Sequence, residues 1–270
     1  MNELTSSLLF LVSGFFSGIL IGMLGIGGGL VFVPLLYFTL PLFGIQESSL
    51  AYFTIGTSLF TGAIAVSNSA ILHIRAKNYF RKPAVLISIG ALITASITPF
   101  FVVKVESKTL EIIFATVLFV VLVSMLFESN KRKWLVLKNP LNERYYIPLG
   151  LCVGIFSAFI GLGGGIIYLP ALMNLFLVEP RKAVGTSSVI AAVTMISSTI
   201  SYLFQSANSA TTVGTLGFIV LAAAIPLGIG AIIGSFFGVR LALVSSNLLI
   251  KKVFAGIILL AIIRIFFNIS

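Results

Sequence analysis

The sequence has no aspartate, one histidine, one cysteine and one tryptophan, and its seven acidic residues are all glutamates. A lone cysteine, Cys152, rules out an internal disulfide and any cysteine-rich metal or iron-sulfur site, and reads as a small buried apolar residue. Every glutamate (Glu3, Glu47, Glu106, Glu111, Glu128, Glu143, Glu179) lies at the end of an apolar segment or in a gap. A carboxylate proton relay through a membrane core is therefore not expected unless one of them turns inward. His73 begins a basic gap and reads as an interfacial histidine, so Ser157 has no evident base and an intramembrane hydrolase is not expected. No catalytic residue, metal site or cofactor is assigned, and the chain is not read as an enzyme.

Charge is equally scarce. Only 9% of the 270 residues are charged against 59% hydrophobic, with a mean hydropathy of +1.17, too little polar surface for a water-soluble domain. The bilayer is the solvent for this chain. Its net charge of +10 sits in short gaps between apolar runs, not on one amphipathic face, so topology accounts for it better than nucleic acid does. The apolar run from Leu8 has no basic region before it and no small-residue cleavage pattern after it, and reads as the first membrane segment.

Five apolar segments, Ser7 to Leu24, Gly29 to Phe43, Leu50 to Leu72, Pro83 to Val103 and Thr109 to Phe127, precede a polar, basic stretch. Five more follow it, Tyr145 to Gly161, Gly165 to Val178, Ala183 to Gln205, Val213 to Gly238 and Leu248 to Phe267. The halves repeat. At an offset of 136, Gly14, Gly18, Gly25, Gly27, Gly28, Gly29 and Pro34 fall on Gly150, Gly154, Gly161, Gly163, Gly164, Gly165 and Pro170. Further on, Gly56-Thr57-Ser58 matches Gly185-Thr186-Ser187, and Gly90 and Phe114 match Gly230 and Phe254.

An odd number of segments per repeat makes the second copy enter the membrane from the opposite side, and the basic residues test this. Alternate gaps collect 14 of the 17 Lys and Arg on one side, leaving Lys104, Lys108 and Arg264 on the other. Four spans per half would put both halves in one orientation, which this bias does not fit. The expected architecture is an all-α polytopic membrane protein of two inverted-topology repeats, residues 1–127 and 145–270. A cytoplasmic basic linker, 128–144, joins them, both termini face outward, and helices break or re-enter at the glycine clusters.

Those clusters, Gly25-Ile26-Gly27-Gly28-Gly29 and Gly161-Leu162-Gly163-Gly164-Gly165, each end one segment and open another too short, at about 21 to 23 Å, to cross a core of roughly 30 Å as helix. Consecutive glycines break a helix and leave amides unhindered, and the following helix aims its positive end at the break, an anion site needing no basic side chain. Close packing is the simpler reading for Gly14, Gly18 and Gly22, spaced by four, for Gly150 and Gly154, and for Gly230, Gly234 and Gly238. Pro34 and Pro170, five residues past each triplet, each remove a helical hydrogen bond. Thr57, Ser58, Thr186 and Ser187 can donate to an anion or bond the carbonyl four residues back. Asn68 is either a tie between helices or a ligand contact.

The stretch from Gly18 to Gly29 with Val33-Pro34, the stretch from Gly154 to Gly165 with Leu169-Pro170, and the Gly-Thr-Ser elements resemble the twin signatures of the TauE/SafE permeases over essentially the whole chain. The resemblance implies transport of sulfur-containing oxyanions such as sulfite, sulfonates or sulfoacetate, usually outward, and seven or eight helices, which broken or re-entrant pairs reconcile with ten segments. The expected substrate site is Gly25, Gly27, Gly28, Gly29, Thr57, Ser58, Asn68, Gly161, Gly163, Gly164, Gly165, Thr186 and Ser187. An inside-negative potential of 100 mV drives a monovalent anion outward with about 2.3 kcal/mol, so export needs no coupled ion. A channel with a continuous pore is the alternative. The partners expected are a small anion and the lipid bilayer, with no nucleic acid and the oligomeric state left open.

Overall fold

A computed structural model describes residues 3–114, 116–117, 139–205 and 214–246. The end of the fifth segment, most of the linker, Phe254 and the tenth segment lie outside the described residues. The chain forms α1 (Glu3–Leu24), α2 (Gly29–Thr39), which runs into a 3-10 turn at Leu40–Phe43, and α3 (Glu47–Arg75). Next come α4 (Arg81–Ile97), the short α5 (Pro99–Val102) and α6, described over residues 107–114. The second half has α7 (Tyr146–Ile160), α8 (Gly165–Asn174), α9 (Pro180–Leu203) and α10 (Leu221–Val244).

Among the described residues, five helical stretches are long and apolar enough to cross a membrane: Thr5–Leu24, Glu47–Arg75, Arg81–Val102, Pro180–Leu203 and Leu221–Val244. Val213 to Gly238, expected as one apolar segment, opens instead with a hairpin of β1 (Thr215–Leu216) and β2 (Ile219–Val220). Gly217 turns it with φ of 56°, the left-handed geometry a two-residue hairpin loop needs, and α10 starts only afterwards.

The helices α3 and α9 form the centre. Their most apolar windows are 78% buried, against 44% for α1 and for the stretch Arg81–Val102, and 50% for α10. Lipid can solvate an apolar side chain but not a hydroxyl, so the chain keeps Thr54, Ser58, Thr61 and Ser69 on α3, and Ser187, Ser188, Thr194 and Ser198 on α9, inside. Cys152 on α7 faces outward, contrary to its reading as buried.

Two seams flank the centre. Along α1 and α10, Gly14 lies against Leu227, Gly18 against Ala231 and Gly22 against Ser235. Along α4 and α7, Gly150 lies against Ile87, Gly154 against Ala91, and Gly90 against Ile147. In each pair a Cβ on the glycine would strike the backbone of the facing helix, so the spaced glycines are close-packing residues. The two seams correspond under the repeat: Gly14 and Gly150 are equivalent, and so are Leu227 and Ile87, by the offset that relates Gly90 to Gly230.

Contacts also give directions. Both seams run parallel. Ser69 Oγ meets Ser188 Oγ at 3.2 Å while Gly62, nearer the start of α3, meets Met195, nearer the end of α9. The equivalent helices α3 and α9 are therefore antiparallel. At one end of the bundle Lys82 pairs with Glu143, Asn78 Nδ2 donates to the Arg181 carbonyl (3.0 Å), Arg181 donates to the Ser245 carbonyl (2.9 Å), and the Lys182 ammonium lies 4.7 Å from the centre of the Phe80 ring. At the other end Ala51 N donates to Ser107 Oγ (3.0 Å) and Tyr52 to the Val105 carbonyl (2.7 Å), beside Lys104 and Lys108.

The seams predict a graded response to added bulk. Gly150→Val and Gly18→Val should each cost about 1–3 kcal/mol or more, since they press on backbone that cannot retreat. Gly228→Ala, whose methyl would meet only Ile64 at ordinary contact distance, should stay within about 0.5 kcal/mol of the parent. Denaturant unfolding of the purified protein in detergent distinguishes them.

Candidate functional site

At the end of α1 the last regular bond runs from Gly25 N to the Ile21 carbonyl (2.8 Å), and bonding resumes with Val31 and Phe32 N donating to the Gly28 carbonyl (3.0 Å each). Between them Gly25, Gly27 and Gly28 hold φ of 67°, 79° and 81°. Gly161, Gly163 and Gly164 do the same at 75°, 74° and 72°, between a Gly161 N bond to Ser157 and the bonds of Ile167 and Tyr168 N to Gly164. Side chains are strained in this left-handed region, so the glycines are required by conformation.

The two breaks lie side by side and antiparallel. Gly29 rests on Gly161 and Leu162, Gly165 rests on Gly25 and Ile26, and Gly27 meets Leu162 and Gly163 at the crossing. Residues 25–30 and 161–166 are all buried.

A broken helix frees carbonyls as well as amides, and these two classes are treated differently here. The freed carbonyls of Gly25 and Gly161 accept from Ser187 Oγ (3.0 Å) and Ser58 Oγ (2.9 Å), each supplied by the opposite half. Those of Gly22 and Ala158 accept from His73 Nε2 (3.3 Å) and the Tyr202 hydroxyl (3.1 Å). Asn78 Nδ2 donates to His73 Nδ1 (3.0 Å), which leaves the ring proton on Nε2, where it faces the carbonyl. The amides of residues 26–30 and 162–166, by contrast, make no hydrogen bond among the described residues. Two buried stretches of backbone whose N–H groups have no protein acceptor therefore lie at one crossing. Buried amides are nearly always paired, so this is a polar surface that lacks an acceptor.

Of the residues expected at the site, the glycines of both clusters, Ser58 and Ser187 come together. The two serines do not bond the carbonyl four residues back; they cap the opposite break. Thr57, Thr186 and Asn68 lie elsewhere. Thr57 Oγ1 accepts from Val220 N and Thr186 Oγ1 from Phe80 N (3.0 Å each), fixing the starts of α10 and α4. Thr186 also donates to the Lys182 carbonyl four residues back (2.7 Å). Asn68 Nδ2 ties α3 to Ser235 Oγ (2.8 Å) and the Ile232 carbonyl (3.3 Å) on α10.

Other residues were not singled out by sequence. His73 is wholly buried in the protein, where Asn78 and Gly22 satisfy both ring nitrogens. The repeat register carried a signal for it: His73 follows Gly56 at the distance at which Tyr202 follows Gly185, and the two do the same task. Thr54 and Thr61, one turn to either side of Ser58 on the same face of α3, are fully buried with hydroxyls that have no partner. On the other half the corresponding positions are Ala183 and Ile190, so nothing in the repeat marks them. Among the described residues no three His, Cys, Asp or Glu side chains gather as metal ligands.

Residues 10–265 match the family described as Sulfite exporter TauE/SafE. A probable membrane transporter protein of Methanocaldococcus jannaschii is 30% identical over 234 residues, covering 86% of this chain and 85% of its own. One of Haemophilus influenzae is 29% identical over 267 residues, covering 97% and 98%. A third, of Bacillus subtilis, is 26% identical over 220 residues, covering 74% and 79%. No solved structure matches the chain. With its apolar helices and this match along nearly its whole length, the chain belongs to the sulfite exporter TauE/SafE family and is a multi-pass membrane transporter.

Proposed function

We propose that the protein carries a small sulfur-containing oxyanion, such as sulfite, a sulfonate or sulfoacetate, outward across the cytoplasmic membrane, through a site between two inverted repeats. The observation that carries this reading is the asymmetry of the breaks: four of their freed carbonyls, at Gly22, Gly25, Ala158 and Gly161, are capped by side chains, while none of the amides of residues 26–30 and 162–166, all in buried residues, has a protein partner. Amide hydrogens accept no cation and invite an acceptor with several oxygens, and the N-termini of α2 and α8 add their dipoles in the same sense. The unpartnered hydroxyls of Thr54 and Thr61 supply further donors on the same side of α3. The choice of a sulfur oxyanion rests on the description of the family.

The inverted arrangement is supported by the antiparallel course of α3 and α9. If equivalent helices cross a bilayer in opposite directions, the axis relating the halves, 1–127 and 145–270, lies in the membrane plane. Arg75, Lys77, Arg81, Lys82, Arg144, Arg181, Lys182 and Arg240 belong to one end of the bundle, which becomes the cytoplasmic end by the charge rule. The linker 128–144 then lies inside and both termini outside. Each break with its short helix returns the chain across the membrane as a broken span. The membrane potential is sufficient to drive export without a coupled ion.

Two experiments test the reading. In proteoliposomes, labelled sulfite and sulfonates should show saturable flux that follows an imposed potential; flux unaffected by any of them removes the substrate class, and dependence on a pH gradient alone removes the uniport. Gly28→Val and Gly164→Val should abolish that flux in protein still folded in the membrane, and undiminished transport would leave the breaks a packing device. For orientation, single cysteines replacing Lys77 and Lys104 in a Cys152→Ala background should react with an impermeant thiol reagent from the inside and the outside, respectively.

A further inference from the structure

The crossing of the two breaks is filled by one side chain. Met195 of α9, wholly buried, has its thioether where a Cβ on Gly27, on Gly163 or on Gly62 of α3 would have to sit. Three separate elements are thus stripped to glycine around a single unbranched, flexible group. The repeat is broken here in a compensating way: Met195 corresponds to Val66, and Gly62 to Ala191, so of the two equivalent pairs between the halves one sets a long side chain against none and the other matches a medium one with a small one. Two methionines in equivalent positions would compete for the same space at the centre of the pseudo-symmetry. Among the described residues nothing polar bonds the thioether, and three rotatable bonds make the side chain adaptable.

We propose that Met195 is the gate and size filter of the transport site. Its thioether holds the space between the two rows of unpaired amides, swings aside when an anion enters, and limits by its bulk which anions fit. This rests on the reading that those amides bind the transported anion. A conventional packing role predicts something different: shortening the side chain would leave a cavity and slow all substrates alike.

The test uses full-length protein in liposomes, in a Cys152→Ala background, because Cys152 is exposed and would react. Met195→Ala should raise the ratio of sulfoacetate flux to sulfite flux by about tenfold, and Met195→Phe should lower it below the parent's. Equal changes for both anions in Met195→Ala overturn the proposal. Met195→Cys supplies a readout that needs no transport and covers a Met195→Ala protein that does not fold. A small methanethiosulfonate reagent should modify that cysteine, and saturating sulfite should protect it. A Met195→Cys protein that stays unlabelled while the parent transports overturns the gate and leaves the transport reading standing. Labelling of Met195→Cys in a protein that moves neither anion supports an opening crossing and instead removes the substrate class.

Discussion

A helix interrupted inside a bilayer leaves amides and carbonyls that lipid cannot satisfy, and the rest of this fold answers to that constraint. Both interruptions are placed where they shield one another. Their glycines allow the two backbones to approach without a Cβ between them, with Gly29 on Gly161 and Gly165 on Gly25. The central helices α3 and α9 must then pass close enough for Ser58 and Ser187 to reach the opposite break. That closeness in turn makes the outer seams necessary, since α1 and α7, which lead into the breaks, are held by glycine contacts along α10 and α4.

The distribution of hydrogen bonds separates scaffold from site. Four side chains, Ser58, Ser187, His73 and Tyr202, are used on carbonyls, and they come in two equivalent pairs although His73 and Tyr202 are chemically unlike. What the repeat preserves is a donor aimed at a freed carbonyl, whichever residue provides it. The amides have no such partner. A scaffold that caps four freed carbonyls with side-chain donors and none of the freed amides has an electrostatic sense, and that sense is suited to an anion.

Much of this was legible from residue order because the membrane narrows the possibilities so far. Apolar length defines spans and repeated glycines define breaks, so these interruptions follow from local chemistry. Partner choice was harder to read. Thr57 and Ser58 are adjacent and similar, yet a 100° step around α3 sends one to Val220 and the other to Gly161. Asn68 fits a ligand contact as well as an interhelical tie until α10 is seen beside it. His73, at the edge of an apolar run, gives no sign that Asn78 folds back over it. The hairpin at Thr215–Val220 was hidden within an apolar stretch, since period alone does not separate a short strand from the start of a helix.

The sequence by itself determined that this is a helical membrane protein of two related halves with a glycine break in each, because hydropathy, repeat register and backbone conformation are properties of short stretches of chain. Only the tertiary structure decided that the breaks meet antiparallel, that side chains cap four of their carbonyls and none of their amides, and that Met195 stands between them. Those are relations between residues far apart in the chain, as Ser58 is from Gly161, and they depend on which faces α3 and α9 turn toward each other.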